Sequence, residues 1–452
     1  MAAAVRTVRH SLKGESPMTV MQRAAWVAAM VAFGAAGCGR HGGTPEAPNT
    51  TAAEREKFTR DLIDRRIEGV FRGTLQDSTE EAWAGAFWGM GLARYASVVT
   101  DGAMAMGLED FSRRSPAFRR ALLEAVYTMY PGRFGEEMIR IAGSTDDPKL
   151  FAMAALHLAR SAEGASHALL REQLETRFPG WQEHPILASL HFDLTARGPV
   201  LAAGTPPLAD LLAHRFGEPQ GVLFSFQRPD RDDIGLAVVR GPGGRFVRNP
   251  DGSYFAVPHF ARAASNLPGY ITNGNTPQGV LSVQGYARVA NPFIGPTETV
   301  QMVMPHEAGP AAFFHGAAAE SIWTEQLYAR LLPPSWRGWF PVWESERAGR
   351  AGRTEIIAHG TTIDPAFSRG MPFEPFTPSQ GCLTAHEEWS AEGVNTRSDQ
   401  RALLQAMRGA GIERGWCVVV ELPGVDGPVT PGEVKGAMDA AEGKPPGGET
   451  QR

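Results

Sequence analysis

Cysteine is scarce in this chain: Cys38, Cys382 and Cys417 are the only three among 452 residues. Each stands in a different context, which excludes a disulfide-framed fold and makes each thiol a separate question. Charge of one sign is scarce as well. The formal net charge is −5 with no basic patch, which excludes nucleic acid as an expected partner. No His-Glu-x-x-His spacing occurs; His157, His167, His184 and His191 read as structural or surface residues, and no metal or cofactor is implied. No helical pattern follows Gly241-Pro242-Gly243-Gly244, so that stretch is a hairpin turn and not a phosphate cradle. Asp230, Asp232 and Asp233 read as a solvated loop rather than a cation site.

A membrane-spanning run is lacking too. The apolar stretch from Ala24 to Gly37 has the length of a signal-peptide core and is too short to cross a bilayer. Arg6, Arg9, Lys13 and Arg23 precede it, and Ala35-Ala36-Gly37-Cys38 closes it. Small residues directly before a cysteine resemble the lipobox of bacterial lipoproteins, although Ala35 stands where Leu is usual. The expectation is a lipoprotein-type signal over 1–38 with lipidation at Cys38; the alternative is an ordinary secretory signal. Met18 and Met21 are alternative starts. Gly39, with no Asp after the cysteine, favours the outer membrane. The expected location is the periplasm, on a lipid anchor.

What is present falls into regions. Residues 39–52 are polar with Gly and Pro and read as a flexible tether. Over 53–216 apolar residues recur at helical spacing, as in Trp83, Phe87 and Met90 or Leu122, Val126 and Met129. Pro116-Ala117-Phe118 and Pro148-Lys149-Leu150 are loosely alike at about 32 residues, a period suited to stacked, HEAT-like helix pairs; a non-repetitive bundle also fits. After Gly217 the pattern turns to short strands: Val222-Leu223-Phe224, Ile234 to Val239, Val280 to Val283 and Trp416 to Leu422. His259 lies in a short helix-like piece and reads as structural. Residues 290–350 form an insertion with a helix from about Ala317 to Leu332. Its aromatic cluster, including Trp336 and Trp339, either lines a cleft as a lid or packs onto the β-core. His306 and His315 lie near enough to line such a cleft. Residues 399–407 read as a helix, and Cys417 as a core thiol unless it bridges Cys382. From Pro423 to 452 Gly, Pro, Lys and Glu dominate, predicting a disordered tail.

The chemistry concentrates in two stretches. Ile356-Ile357-Ala358 leads into His359-Gly360-Thr361, and Ser379-Gln380-Gly381-Cys382 opens what reads as a helix. A thiol with a free pKa of roughly 8.5 needs a base such as imidazole to become a nucleophile. The adjacent glycines, Gly360 and Gly381, would let a substrate approach, and the amides of Gly381 and Cys382 would hold an oxyanion.

These stretches, with Asn275-Thr276-Pro277-Gln278-Gly279 upstream, resemble the L,D-transpeptidase (YkuD-type) signature: Thr-Pro-x-Gly, His-Gly-Thr and Ser-x-Gly-Cys-Leu in that order. The resemblance covers roughly 230–422. It departs where Thr384 replaces an expected arginine, a place that Arg397 or Arg401 would have to fill. It implies a multidomain α plus β protein: an all-α region at 53–216, then a mostly-β YkuD-like catalytic domain at 217–422. It further implies Cys382 as nucleophile and His359 as base, with Ser379 and Gly360 orienting the imidazole or the turn; Thr361, Trp336, Trp339 and Arg397 are the expected substrate contacts. The implied substrate is the peptidoglycan stem peptide. The rivals are an L,D-carboxypeptidase, a wall-protein attachment enzyme and an inactive wall-binding lipoprotein.

Overall fold

The computed structural model describes residues 49–160 and 167–443. The expected signal, Cys38 and all but the last residues of the tether lie outside the described residues. Among the described residues no helix is long and apolar enough to cross a membrane. Chain order begins with helix α1 (Ala52–Arg60), capped by Thr51, whose hydroxyl and amide are bonded to Glu54.

Helices α2 (Glu80–Ala93), α3 (Val98–Glu109), α4 (Pro116–Met129), α5 (Gly135–Ser144), α6 (Pro148–Arg160), α7 (His167–Arg177) and α8 (Pro185–Thr195) follow. Helices α2, α4, α6 and α8 pack in succession, and α3, α5 and α7 each pack on the helix that follows them. The two proline-led stretches singled out above begin α4 and α6, and a third, Pro185, begins α8. Proline is tolerated there because its missing N–H has no acceptor in the first turn. The apolar faces bury Trp83, Phe87, Phe118, Leu122, Phe151 and Leu190 in one core. Trp83 and Phe87 are therefore core, and so is His157, whose Nε2 is 2.8 Å from the Arg133 carbonyl.

Ten strands follow among the described residues: β1 (Val222–Gln227), β2 (Gly235–Arg240), β3 (Val257–His259), β4 (Gly279–Ala287), β5 (Thr299–Val303), β6 (Ile357–His359), β7 (Leu383–Thr384), β8 (Glu387–Trp389), β9 (Asn395–Ser398) and β10 (Gly415–Glu421). Eight form one sheet in the order β3-β2-β1-β10-β4-β5-β6-β7, while β8 and β9 make a separate hairpin. The sheet curls until its edges meet. Phe260 and Thr384 exchange both main-chain hydrogen bonds at 2.8 Å, so neither edge is left as an open template.

Alternation fills both faces. Leu223, Val239, Leu281, Val300, Ala358, Leu383, Cys417 and Val419 point into the curl, with Leu403, Leu404 and Met407 of helix α10 (Asp399–Gly409; the intervening α9 is Glu344–Arg350). Phe224, Phe226, Val238, Val280, Trp416 and Val418 point outward and are covered by the insertion. Burial on both sides explains why β10 reads as an apolar run from Trp416 to Val420.

Several expectations are corrected. The helical and β regions share a core, since Leu267, Tyr270 and Ile271 of the β region sit among the helices; the described residues form one compact unit with no boundary at 216. The tail is not disordered over its first part. Helix α11 (Pro431–Gly443) buries Val434, Met438 and Ala441, and Glu433 pairs with the buried Arg228 at 2.6 Å. Its apolar residues are few but share one face, which composition alone hides. The insertion helix shrinks to Glu325–Ala329, because Thr324 caps it there and Trp323 turns aside to stack on His306. His259 lies on β3 and not on a helix, held by pairing with Gly235. The aspartates are engaged: Asp232 pairs with Arg262 at 2.5 Å, and Asp233 accepts from the Gly427 amide at 3.1 Å.

Candidate functional site

The site stands where the curled sheet closes. Strands β6 and β7 run parallel with Ala358 opposite Leu383 and His359 opposite Thr384. Cys382 immediately precedes β7, so it lies two residues out of register with His359 on the neighbouring strand. In an ideal sheet that offset is roughly 8 Å between Cβ atoms, about the combined reach of a thiol and an imidazole. No hydrogen bond joins them. Cys382 Sγ lies 3.4 Å from the Glu355 carbonyl, and His359 Nδ1 lies 2.5 Å from the Gly360 carbonyl. A ring nitrogen facing a carbonyl carries the proton, which leaves Nε2 as the basic nitrogen.

Both groups rest uncharged. Burial pushes the Cys382 thiol up to about 11, opposed by the Ile357 amide and the Arg353 cation. Burial pulls His359 down to about 4, opposed by the Gly360 carbonyl. The pair is therefore a neutral thiol and a neutral imidazole, not a preformed thiolate and imidazolium. The expected helix after Cys382 is a strand, because Thr384 is bonded in both directions to Phe260; no helix N-terminus assists the thiol. Cys382 is half-buried and unbridged, and Cys417 is buried inside the sheet.

The flanking residues act on the turns. Ser379 Oγ donates to the Cys382 carbonyl at 2.8 Å and accepts from the Gly381 amide at 2.9 Å. Of the two roles expected for Ser379, it orders the cysteine turn and not the imidazole; the Gly381 amide, expected to hold an oxyanion, is spent. The Cys382 amide donates to no protein acceptor among the described residues. The glycines serve packing rather than substrate access. A Cβ on Gly360 would meet the Glu387 carboxylate at 2.1 Å, and one on Gly381, whose φ is +108°, would meet Arg353 Nη2 at 2.1 Å.

The expected substrate contacts do not gather here. Thr361 is buried, its hydroxyl 3.0 Å from Thr377 Oγ1 and its amide donating to Glu387 at 3.1 Å. Trp336 is fully buried, donating to the Pro207 carbonyl at 3.1 Å, and Trp339 packs beside it on the outer face of β1 and β10. They are packing residues, not a lid, because that face is too apolar to be left in water. Arg397 pairs with Asp399 at 3.3 Å and Glu388 at 3.5 Å. Thr384 is buried, with its hydroxyl on the Phe260 and Thr377 carbonyls. His306 is held by Glu346, and His315 by Ser282 and the Gly415 carbonyl.

Two residues escaped sequence reasoning. Glu387 accepts from the Thr297 hydroxyl at 2.6 Å, the Ser398 hydroxyl at 2.5 Å and the Thr361 amide, pinning the His-Gly-Thr turn. Arg353 sits behind the cysteine turn, reaching the carbonyls of Gly269, Gly274, Asn275 and Gly381. No periodicity signals either; only their position, buried and charged, does. Thr276, from the upstream stretch, donates to the Gly381 carbonyl at 2.9 Å. No family model, curated protein or solved structure matches this chain.

Proposed function

We propose that the chain is a cysteine-dependent L,D-transpeptidase with a YkuD-like catalytic region, acting on peptidoglycan stem peptides from a lipid-anchored, periplasmic position at the outer membrane. One observation carries this reading: three stretches far apart in sequence, at 275–279, 357–361 and 379–384, converge on Cys382. The HEAT-like helical stack would support that region, since Asn273 in the loop leading to Thr276 donates to Glu124 at 3.3 Å.

In the reaction, rotation about the Cα–Cβ bond of Cys382 swings its sulfur from the Glu355 carbonyl toward His359. His359 Nε2 takes the thiol proton as sulfur attacks the carbonyl of the dibasic residue in a tetrapeptide donor. The Cys382 amide faces the developing oxyanion. Collapse returns the proton to the departing D-amino acid and leaves a thioester. An acceptor amine then attacks, losing a proton to His359, and its new amide bond restores the thiol. With water as acceptor the same steps give a carboxypeptidase.

Resting thiol and imidazole that are neutral and unbonded favour a second reading, an inactive wall-binding lipoprotein. Exposure to a carbapenem-type acylating agent, followed by mass spectrometry of the Cys382 peptide, separates the two. The transpeptidase reading expects acylation at Cys382, lost in Cys382→Ala together with stem-to-stem crosslinks in a strain dependent on this protein. An unacylated, folded wild type would sink it.

A further inference from the structure

Arg353 is 3 % exposed, and Glu344, the carboxylate that acts on it, makes no ion pair with it among the described residues. Its partners are main-chain carbonyls: Asn275 at 2.7 Å, Gly274 at 2.6 Å, Gly381 at 3.4 Å, and Gly269. A buried guanidinium normally sits against an acid, since an unpaired charge is expensive to desolvate. Here its hydrogen-bond partners are dipoles, with the Glu344 carboxylate acting only from further off, and it lies against Gly381 so closely that no side chain fits at that position.

From this geometry we infer that Arg353 is a positioning residue for Cys382, fixing its peptide plane and holding a positive charge behind its sulfur. The inference rests on the nucleophile reading above. The Gly381–Cys382 peptide is trans, so the Gly381 carbonyl and the Cys382 N–H point in opposite directions. Arg353 Nη2 and Thr276 Oγ1 together hold that carbonyl inward. The Cys382 N–H is thereby turned away from them and left for an oxyanion, once Ser379 has taken the amide of Gly381. The same guanidinium stabilises the thiolate that forms as His359 removes the proton.

The charged groups acting on the thiol are Arg353, Glu355 and Glu307. Those around Arg353 are Glu344, Arg231 and Cys382. Glu355 and Glu307 oppose the thiolate, so Arg353 is the cation that offsets them.

The test uses Arg353→Met and Arg353→Lys in the full chain, with folding checked by circular dichroism. The rate of Cys382 alkylation by iodoacetamide is followed against pH by mass spectrometry of the Cys382 peptide. Iodoacetamide reads thiol ionisation whether or not the protein is an enzyme, so this arm is independent of the functional reading. Carbapenem acylation is the arm that tests that reading. Arg353→Met should raise the alkylation midpoint by about one pH unit, slowing alkylation near pH 8 about tenfold. Arg353→Lys, which keeps the charge but not the carbonyl clamp, should leave the midpoint within a few tenths of a unit and slow acylation by about tenfold or more. An unchanged midpoint in folded Arg353→Met overturns the inference. If that variant does not fold, an unchanged acylation rate in Arg353→Lys overturns it instead.

Discussion

Replacing Glu387 by Ala and by Gln separates a carboxylate that organises the histidine turn from one that merely fills space. Its two oxygens accept from three donors: the Thr297 and Ser398 hydroxyls on one oxygen and the Thr361 amide on the other. Alanine orphans all three. At about 1 kcal/mol net for each buried hydrogen bond, Glu387→Ala should lose about 3 kcal/mol of folding stability, with some addition from the space left. Glutamine keeps the shape. Its carbonyl oxygen can take the Thr361 amide while its NH2 faces two hydroxyls, which rotate to accept, so the loss should stay under about 1 kcal/mol. Burial raises the Glu387 carboxyl above its ordinary 4.5. Such a group costs stability as pH rises above 4.5 toward its folded value, so the balance should move in favour of Glu387→Gln with increasing pH. Urea unfolding followed by tryptophan fluorescence, at several pH values, measures all three quantities. Equal losses for the two variants, or a loss under about 1 kcal/mol for alanine, would refute the reasoning.

The remaining predictions concern the frame. Burial raises Glu124 to about 7, so wild-type stability should fall as pH rises from 4.5 through 7. Glu124→Gln should regain up to about 3 kcal/mol at pH 8 and nothing below pH 4, read from denaturation midpoints. Met438→Ala should cost about 2–4 kcal/mol in urea unfolding, because Met438 is 1 % exposed under α11; a neutral result would return that segment to a loose tail.

Local pattern made much of this molecule legible. The short apolar runs became β1, β2, β4 and β10, and helical spacing marked α2, α4 and α10. Trp83 and Phe87 belonged to a core as their spacing indicated. The residues converging at Cys382 were visible because glycine and proline punctuate the three stretches that carry them. Other features depended on what lay across the fold. Trp336 and Trp339 looked equally suited to a lid or a core, and only the outer face of β1 and β10 decided between them. The α11 helix was invisible because Val434, Met438 and Ala441 are few, and their worth lies in the surface they meet.

The amino-acid order by itself set which segments could be strand or helix and which side chains had nucleophilic or basic chemistry, since both follow from neighbours and intrinsic pKa. Tertiary structure alone decided that the sheet would close through Phe260 and Thr384, that Glu387 would pin the histidine turn, and that Arg353 would lie behind the sulfur. Those contacts join residues separated by tens to more than a hundred positions, and their energy comes from burial that no local pattern encodes.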